Sequence, residues 1–85
     1  MKSFTYVIKD KTGIHARPAG LLSGLAKGFD SEIVIEKGDK SVNAVKLMML
    51  MGLGVKCGDT VKVTVSGSDE NEAVEKIKAF FEDNL

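Results

Sequence analysis

Apolar and polar residues alternate in two segments of the chain, SFTYVIK near its start and TVKVTVS in its last third. A period of two is typical of a half-buried β-strand, whose side chains point alternately to its two faces. Two further apolar segments, EIVIEK and KSVNA, flank Gly38-Asp39, so we expect them to form two strands of a hairpin. The residues predicted to face inward in the alternating segments are Phe4, Tyr6, Ile8, Val61, Val63 and Val65.

Three other segments space their apolar residues three and four apart, which is the period of a helix. The first helix is expected over 16–27, with Pro18 in its first turn, where the missing N–H does no harm. A shorter helix is expected over 47–52. The third is expected to begin near Asp69, which together with Glu72 resembles a capping box.

The predicted order is therefore strand, helix, strand, strand, helix, strand, helix. With only four short strands, we expect a mainly antiparallel sheet that has the three helices on one face and water on the other. This predicts an α+β fold, an open-faced β-sandwich of order βαββαβα. A chain of 85 residues is enough for one domain, 1–85, and leaves no room for a second.

Charge and composition argue against several functions. Twelve Lys and Arg balance twelve Asp and Glu, so the basic excess of a nucleic-acid-binding protein is missing. No apolar stretch reaches the roughly 18 residues of a membrane span, and the first residues lack the apolar core of a signal peptide, so we expect a cytoplasmic protein without membrane insertion. One histidine and one cysteine, Cys57, make no usable metal-ligand set, and no glycine-rich loop ends in GK[ST]. We therefore expect no metal and no cofactor.

The segment GIHARPAG, residues 13–20, places the only histidine, His15, at the predicted start of the first helix. The N–H groups of Ala16 and Arg17 at this helix end favour an anion such as phosphate, and the Arg17 side chain adds a charged donor. The same positive surroundings oppose a second proton on the imidazole, which leaves one ring nitrogen free as a nucleophile. These residues fit a histidine that accepts and passes on a phosphoryl group. The alternative is a histidine that only caps or packs against the helix.

Three stretches, GIHARPAGLLSGLAKGFDSEIVI, KSVNAVKLMMLMGLGVKCGD and VSGSDENEA, resemble HPr, the histidine-containing phosphocarrier of the bacterial phosphoenolpyruvate-dependent phosphotransferase system. The resemblance covers nearly the whole chain and implies the same open-faced sandwich. It implies that His15 is phosphorylated on Nδ1 and that Arg17 stabilises the phosphate. It further implies a carrier that is not an enzyme, which takes the phosphoryl group from enzyme I and gives it to enzyme IIA in sugar uptake. A carrier for a nitrogen-regulatory or dihydroxyacetone-kinase branch is the alternative.

The segment VKLMMLMGL, residues 45–53, is apolar on nearly every side, so a short helix there cannot bury all of it. Leu50 is expected in the core. We expect Leu47, Met48 and Met51 to be exposed and to bind partners, because flexible methionine side chains adapt to surfaces of different shape. The alternative is that the methionines belong to an ordinary core. In HPr proteins the matching segment docks on enzyme I and enzyme IIA.

Gly20 and Gly24 lie four residues apart on one face of the first helix. Each glycine inside a helix costs about 1 kcal/mol relative to alanine. Either the two glycines provide a flat surface for a partner, or the helix simply tolerates them. Together with Lys27 they complete the predicted partner-binding set, and we expect the carrier to be a monomer.

One position departs from the resemblance. HPr proteins of Gram-positive type have a serine just before the second helix, which a dedicated kinase phosphorylates, but this chain has Lys46 there. The nearest serine, Ser41, lies five residues back and does not match. The serine switch is therefore predicted to be absent. A purely regulatory module with the same fold, as in relatives that lack the histidine, is a further alternative, and His15 counts against it.

Overall fold

The computed structural model describes all residues of the chain, 1–85. Its strands are β1 (Lys2–Val7), β2 (Glu32–Lys37), β3 (Lys40–Asn43) and β4 (Thr60–Ser66), and its helices are α1 (Ala16–Lys27), α2 (Leu47–Gly52) and α3 (Glu70–Asn84). They follow one another as β1-α1-β2-β3-α2-β4-α3, so the predicted order is confirmed. None of the helices combines the length and the hydrophobicity needed to cross a bilayer.

The strands form one sheet in the order β1-β4-β2-β3, and every neighbouring pair is antiparallel. The last strand, β4, therefore lies between β1 and β2. The hairpin predicted at Gly38-Asp39 joins β2 to β3, and Gly38 has a φ of 61°. A two-residue hairpin turn requires this left-handed conformation at its first residue, and glycine adopts it without steric cost.

The core lies between one face of the sheet and the helices, where 18 buried apolar residues form a single cluster. The alternation predicted for β4 is confirmed, because its three valines are fully buried while Lys62 is exposed. Phe81 of α3 packs against the rings of Phe4 and Tyr6 of β1, with ring centroids 5.7 and 5.5 Å apart and the rings nearly perpendicular. Edge-to-face packing of this kind is favourable beyond the apolar area it buries. The open-faced sandwich is therefore confirmed.

The start of α3 differs from the predicted capping box. Asp69 precedes the helix but makes no side-chain hydrogen bond to its first turn. Its carboxylate instead accepts the N–H of Asp30 at 2.8 Å, the N–H of Ser31 at 2.9 Å and a short hydrogen bond from the Ser31 hydroxyl. The Ser31 hydroxyl, followed by the Asp30 N–H, lowers the pKa of Asp69 below its ordinary value. At the helix start, Glu70 accepts the N–H of Gly67 at 3.1 Å. Asp69 therefore ties the residues before β2 to α3.

Candidate functional site

His15 lies immediately before α1 with an extended backbone, and its side chain is exposed. The alternative that this side chain caps the helix is wrong, because it makes no capping hydrogen bond. Its carbonyl oxygen accepts the N–H of Ala19 at 2.9 Å, while the N–H groups of Ala16 and Arg17 have no acceptor in the chain and Pro18 has no N–H. Two free donors at the positive end of the helix dipole are therefore available beside the imidazole.

The loop that carries His15 is hydrogen-bonded to two distant parts of the chain. The N–H of Ile14 donates to the carbonyl of Val55 at 3.1 Å. The N–H groups of Lys9 and Asp10 donate to the main-chain oxygen of Leu85, a buried residue that follows α3. The start of α1 is thus placed by main-chain contacts that join three separate segments.

Gly13 makes the contact with Val55 sterically possible. Its φ is 68°, and a Cβ atom at this position would lie 2.2 Å from the carbonyl oxygen of Val55 and 2.7 Å from the Cα of Lys56. Both distances are far below van der Waals contact, so only glycine fits. The sequence pattern did not predict this role for Gly13. A glycine two residues before the histidine that precedes a predicted helix is the signal that could have identified it.

A shallow depression of about 260 Å³ surrounds the imidazole. Arg17 forms no ion pair with the carboxylates of the chain, so its charge is available to an anion. The side chains of the depression do not form a metal site, because no group of three or more His, Cys, Asp or Glu residues lies close enough together anywhere in the chain. The residues that line the depression are Asp10, His15, Arg17, Pro18, Leu21, Asp83 and Asn84.

Asp10 is the carboxylate nearest to the imidazole. Its Oδ2 lies 3.8 Å from His15 Nε2. The same oxygen accepts the N–H of Thr12 at 3.2 Å and the Thr12 hydroxyl at 3.0 Å. The sequence did not predict a role for Asp10, because its spacing to His15 has no helical or strand period.

Helices α1 and α2 carry an exposed apolar surface beside the site. On α2, Met48 is 76% exposed, Leu47 38% and Met51 37%, whereas Leu50 is fully buried. On α1, Leu21 is 51% exposed and was not predicted. The buried Ser23 of α1 donates its hydroxyl to the carbonyl of Val45 at 3.0 Å, which joins α1 to the turn that precedes α2. Met49 is also exposed, at 56%, but it lines a separate depression beside β3. We call six other exposed residues the helix-pair patch: Gly20, Leu21, Gly24, Leu47, Met48 and Met51.

The two glycines of the helix-pair patch face solvent, and no atom lies within 4 Å of where a Cβ would stand on either of them. Packing inside the protein therefore does not require glycine at Gly20 or Gly24. Lys27 follows on the same side of α1, three residues after Gly24, and is exposed. It lies about 16 Å along the helix axis from Ala16, so the structure does not bring it to His15.

Lys46 occupies the position immediately before α2, with an exposed side chain that makes no capping hydrogen bond. Asn43 supplies the local turn, since its side-chain oxygen accepts the N–H of Val45 at 3.1 Å. Cys57 is exposed in the turn before β4. Neither residue lines the depression around His15.

The family model for the PTS HPr component phosphorylation site matches residues 2–83. This chain belongs to the HPr family. It is 48% identical over 75 residues to the HPr-like protein Crh of Halalkalibacterium halodurans, covering 88% of this chain and 89% of that protein. It is 41% identical over 85 residues to the phosphocarrier protein HPr of Mycoplasma genitalium, covering 99% of this chain and 97% of that protein. The crystal structure of HPr-C-His from Thermoanaerobacter tengcongensis superimposes with a TM-score of 0.92 at 46% identity, over 98% of this chain and 93% of that one.

One relative conflicts with the expectation of a monomer. The crystal structure of Bacillus subtilis Crh, with a TM-score of 0.78 and 40% identity over 94% of this chain and 92% of that one, is described as a dimer with a swapping domain. Swapping exchanges an identical element between two copies, so the dimer reuses contacts that otherwise close within one copy. The HPr family is therefore not restricted to monomers.

Proposed function

We propose that this chain is a cytoplasmic phosphocarrier that accepts a phosphoryl group on His15 from phosphorylated enzyme I and passes it to enzyme IIA in phosphoenolpyruvate-dependent sugar uptake. The observation that supports this most directly is the exposed imidazole beside the free N–H groups of Ala16 and Arg17. A helix start with free donors favours phosphate, and the chain belongs to a phosphocarrier family.

The transfer requires an electron pair on the histidine and donors for the charge on the phosphoryl oxygens. The Nδ1 electron pair of His15 forms the bond to phosphorus while the bond between phosphorus and the donor breaks, and the electron pair of that bond stays with the donor. Charge in such a loose transition state spreads over three oxygens, which the N–H groups of Ala16 and Arg17 and the Arg17 guanidinium are suited to bind. Transfer to the acceptor reverses these steps, so the carrier ends unchanged.

The helix-pair patch supports the proposed docking of enzyme I and enzyme IIA. Leu21 belongs to the patch and also lines the depression around His15, so a partner that covers Leu21 lies beside the imidazole. Exposed methionines such as Met48 adapt to more than one partner. Gly20 and Gly24 present no side chain that would hold a partner away from α1.

The proposal is tested by incubating the full chain with enzyme I and phosphoenolpyruvate. We expect one acid-labile, base-stable phosphoryl group per chain, which is absent in His15→Ala. Lys11→Ala, a change in the same loop, is the control and should be labelled normally. A label that persists in His15→Ala would refute the assignment. A panel of acceptors, comprising enzyme IIA proteins, a nitrogen-regulatory acceptor and a dihydroxyacetone kinase, identifies the branch that the carrier serves.

A regulatory role is a second candidate, favoured by the 48% identity to a Crh protein. In this role the chain would bind a regulator rather than transfer phosphate. Lys46 at the start of α2 offers no hydroxyl to an HPr kinase, so we expect no phosphate from ATP on the native chain. Lys46→Ser should create an acceptor, and mass spectrometry after incubation with ATP and the kinase measures it. ATP-dependent phosphate on Ser41 of the native chain would support the regulatory role instead.

A further inference from the structure

The Asp10 carboxylate faces the nitrogen of His15 that does not take part in the proposed transfer. Its Oδ2 is 3.8 Å from Nε2, about 1 Å longer than an N–H···O hydrogen bond. Catalytic hydrogen bonds are often long before substrate binds and shorten in the reacting complex. The geometry points to Asp10 as a positioning residue, which accepts the Nε2 proton of His15 in a hydrogen bond so that Nδ1 is the nitrogen with the free electron pair. This inference rests on the proposed function.

Asp10 is itself held in place. Its main-chain N–H donates to the oxygen of Leu85 at 2.8 Å, and its carboxylate accepts two hydrogen bonds from Thr12. Because Asp10 is fixed at both its main chain and its side chain, its carboxylate keeps its orientation relative to the imidazole ring. The Thr12 hydroxyl thus supports Asp10, which in turn supports His15. Carboxylate–imidazole pairs fix the tautomer and orientation of histidine in this way in hydrolases and metal sites.

The carboxylate also has a role after transfer. When Nδ1 forms its bond to phosphorus, the Nε2 proton stays in place and the ring becomes a cation, as in the imidazolium of a catalytic triad. Asp10 stabilises this cation. The other charged side chains that line the depression are Arg17 of α1 and Asp83 at the end of α3. The positive charge of Arg17 disfavours the cationic ring. The negative charge of Asp83 favours it, as that of Asp10 does, but without a hydrogen bond to Nε2.

The test measures hydrolysis of the phosphohistidine as a function of pH, because that hydrolysis proceeds through the protonated ring. The full chain is phosphorylated with a phosphoramidate salt, which needs no enzyme I, and release of phosphate is followed by phosphorus NMR. In Asp10→Asn we expect the pH profile to move about 0.7 pH unit toward lower pH, the effect of one charge about 4 Å away in a largely aqueous setting. Asp83→Asn, with the same loss of charge in the same depression, should move it less than half as far.

Two further variants separate positioning from folding. Thr12→Val keeps the Asp10 charge and removes one of its donors, and it should move the profile in the same direction by a smaller amount. In Asp10→Ala, nitrogen NMR of the unphosphorylated ring should show a larger share of the tautomer with its proton on Nδ1. The control in both experiments is an unchanged backbone NMR spectrum away from the loop.

Three results would overturn the inference: no shift in Asp10→Asn, an equal shift in Asp83→Asn, or an unchanged tautomer in Asp10→Ala. Transfer from enzyme I is measured separately, where Asp10→Asn should be about 10-fold slower, the lower end of the cost of removing a carboxylate behind a histidine. If enzyme I fails to phosphorylate the native chain, the proposed function fails, while the pH profile and the tautomer still decide the role of Asp10.

Discussion

Replacing Gly13 with alanine should both destabilise the protein and displace its histidine. The left-handed backbone at Gly13 costs a residue with a Cβ about 1 to 2 kcal/mol. The new methyl would lie 2.2 Å from the Val55 oxygen, so the chain must move and the hydrogen bond from Ile14 to Val55 is lost, at about 1 kcal/mol. The free energy of unfolding should therefore fall by about 2 to 3 kcal/mol. In a domain of this size that lowers the Tm by roughly 8 to 24 °C.

Thermal unfolding followed by circular dichroism measures this loss, and transfer from phosphorylated enzyme I measures the displacement. A shift of about 1 Å at a reacting group can cost about 100-fold in rate, so we expect transfer to slow well beyond what the unfolded fraction explains. Gly20→Ala is the matched control for stability. No atom lies within 4 Å of its new methyl, and alanine in a helix is better than glycine by about 0.5 to 1 kcal/mol, so its Tm should rise.

A Gly13→Ala variant with native Tm and native transfer rate would refute the reasoning, since the loop would then accept a Cβ and the contact with Val55 would not place His15. A low Tm with a normal rate at low temperature would separate the two claims. In that case Gly13 would matter for stability only.

Changes at four other residues test the site, the patch, the core and the contact of Asp69 with Ser31. Arg17→Ala should slow transfer by a factor that corresponds to about 2 to 4 kcal/mol of barrier, with the fold intact. Arg17→Lys should recover part of the rate, because lysine keeps the charge but lacks the planar set of donors of the guanidinium. An unchanged rate in Arg17→Ala would show that the backbone N–H groups suffice. Met48→Ala should weaken binding to enzyme I, measured by calorimetry, while the free energy of unfolding changes by less than about 0.5 kcal/mol. Leu50→Ala, on the buried side of the same helix, should instead lower the free energy of unfolding by about 2 to 5 kcal/mol. The pKa of Asp69 is lowered in the folded protein, so its contribution to stability is complete above the ordinary carboxyl pKa and is lost as pH falls through the lower folded value. In Asp69→Asn, Tm should therefore fall less steeply with decreasing pH below about pH 4. An unchanged dependence of Tm on pH would contradict this.

Patterns within a single element predicted most of the fold. The alternation of Val61, Val63 and Val65 identified β4 and its inward face, and the spacing of apolar residues three and four apart identified α3. These signals are local because a strand or a helix repeats its own geometry. The resemblance in GIHARPAG then indicated His15 and Arg17 together.

Contacts between distant segments were not predictable from the sequence in the same way. Gly13 is required by Val55, which lies in a different turn, and Asp10 faces His15 only because the loop folds back. The capping interpretation of Asp69 failed for the same reason, since Ser31 offers it donors from 38 residues away. Leu21 was missed because the apolar period of α1 identifies the buried side of the helix, where its neighbour Leu22 lies, and no period identifies an exposed residue that binds a partner.

The main-chain bonds between Leu85 and the loop at Lys9 and Asp10 have a practical consequence for work on this protein. Any segment attached after Leu85 begins beside the depression around His15. A histidine tag at that end would bring extra imidazoles, each able to take up or compete for a phosphoryl group, within reach of the position whose phosphorylation is being measured. Tags placed before Met1 are attached on the far side of the fold from this loop, where the amino group contacts Glu70 at the start of α3, and assays of transfer are best done with the tag there or removed.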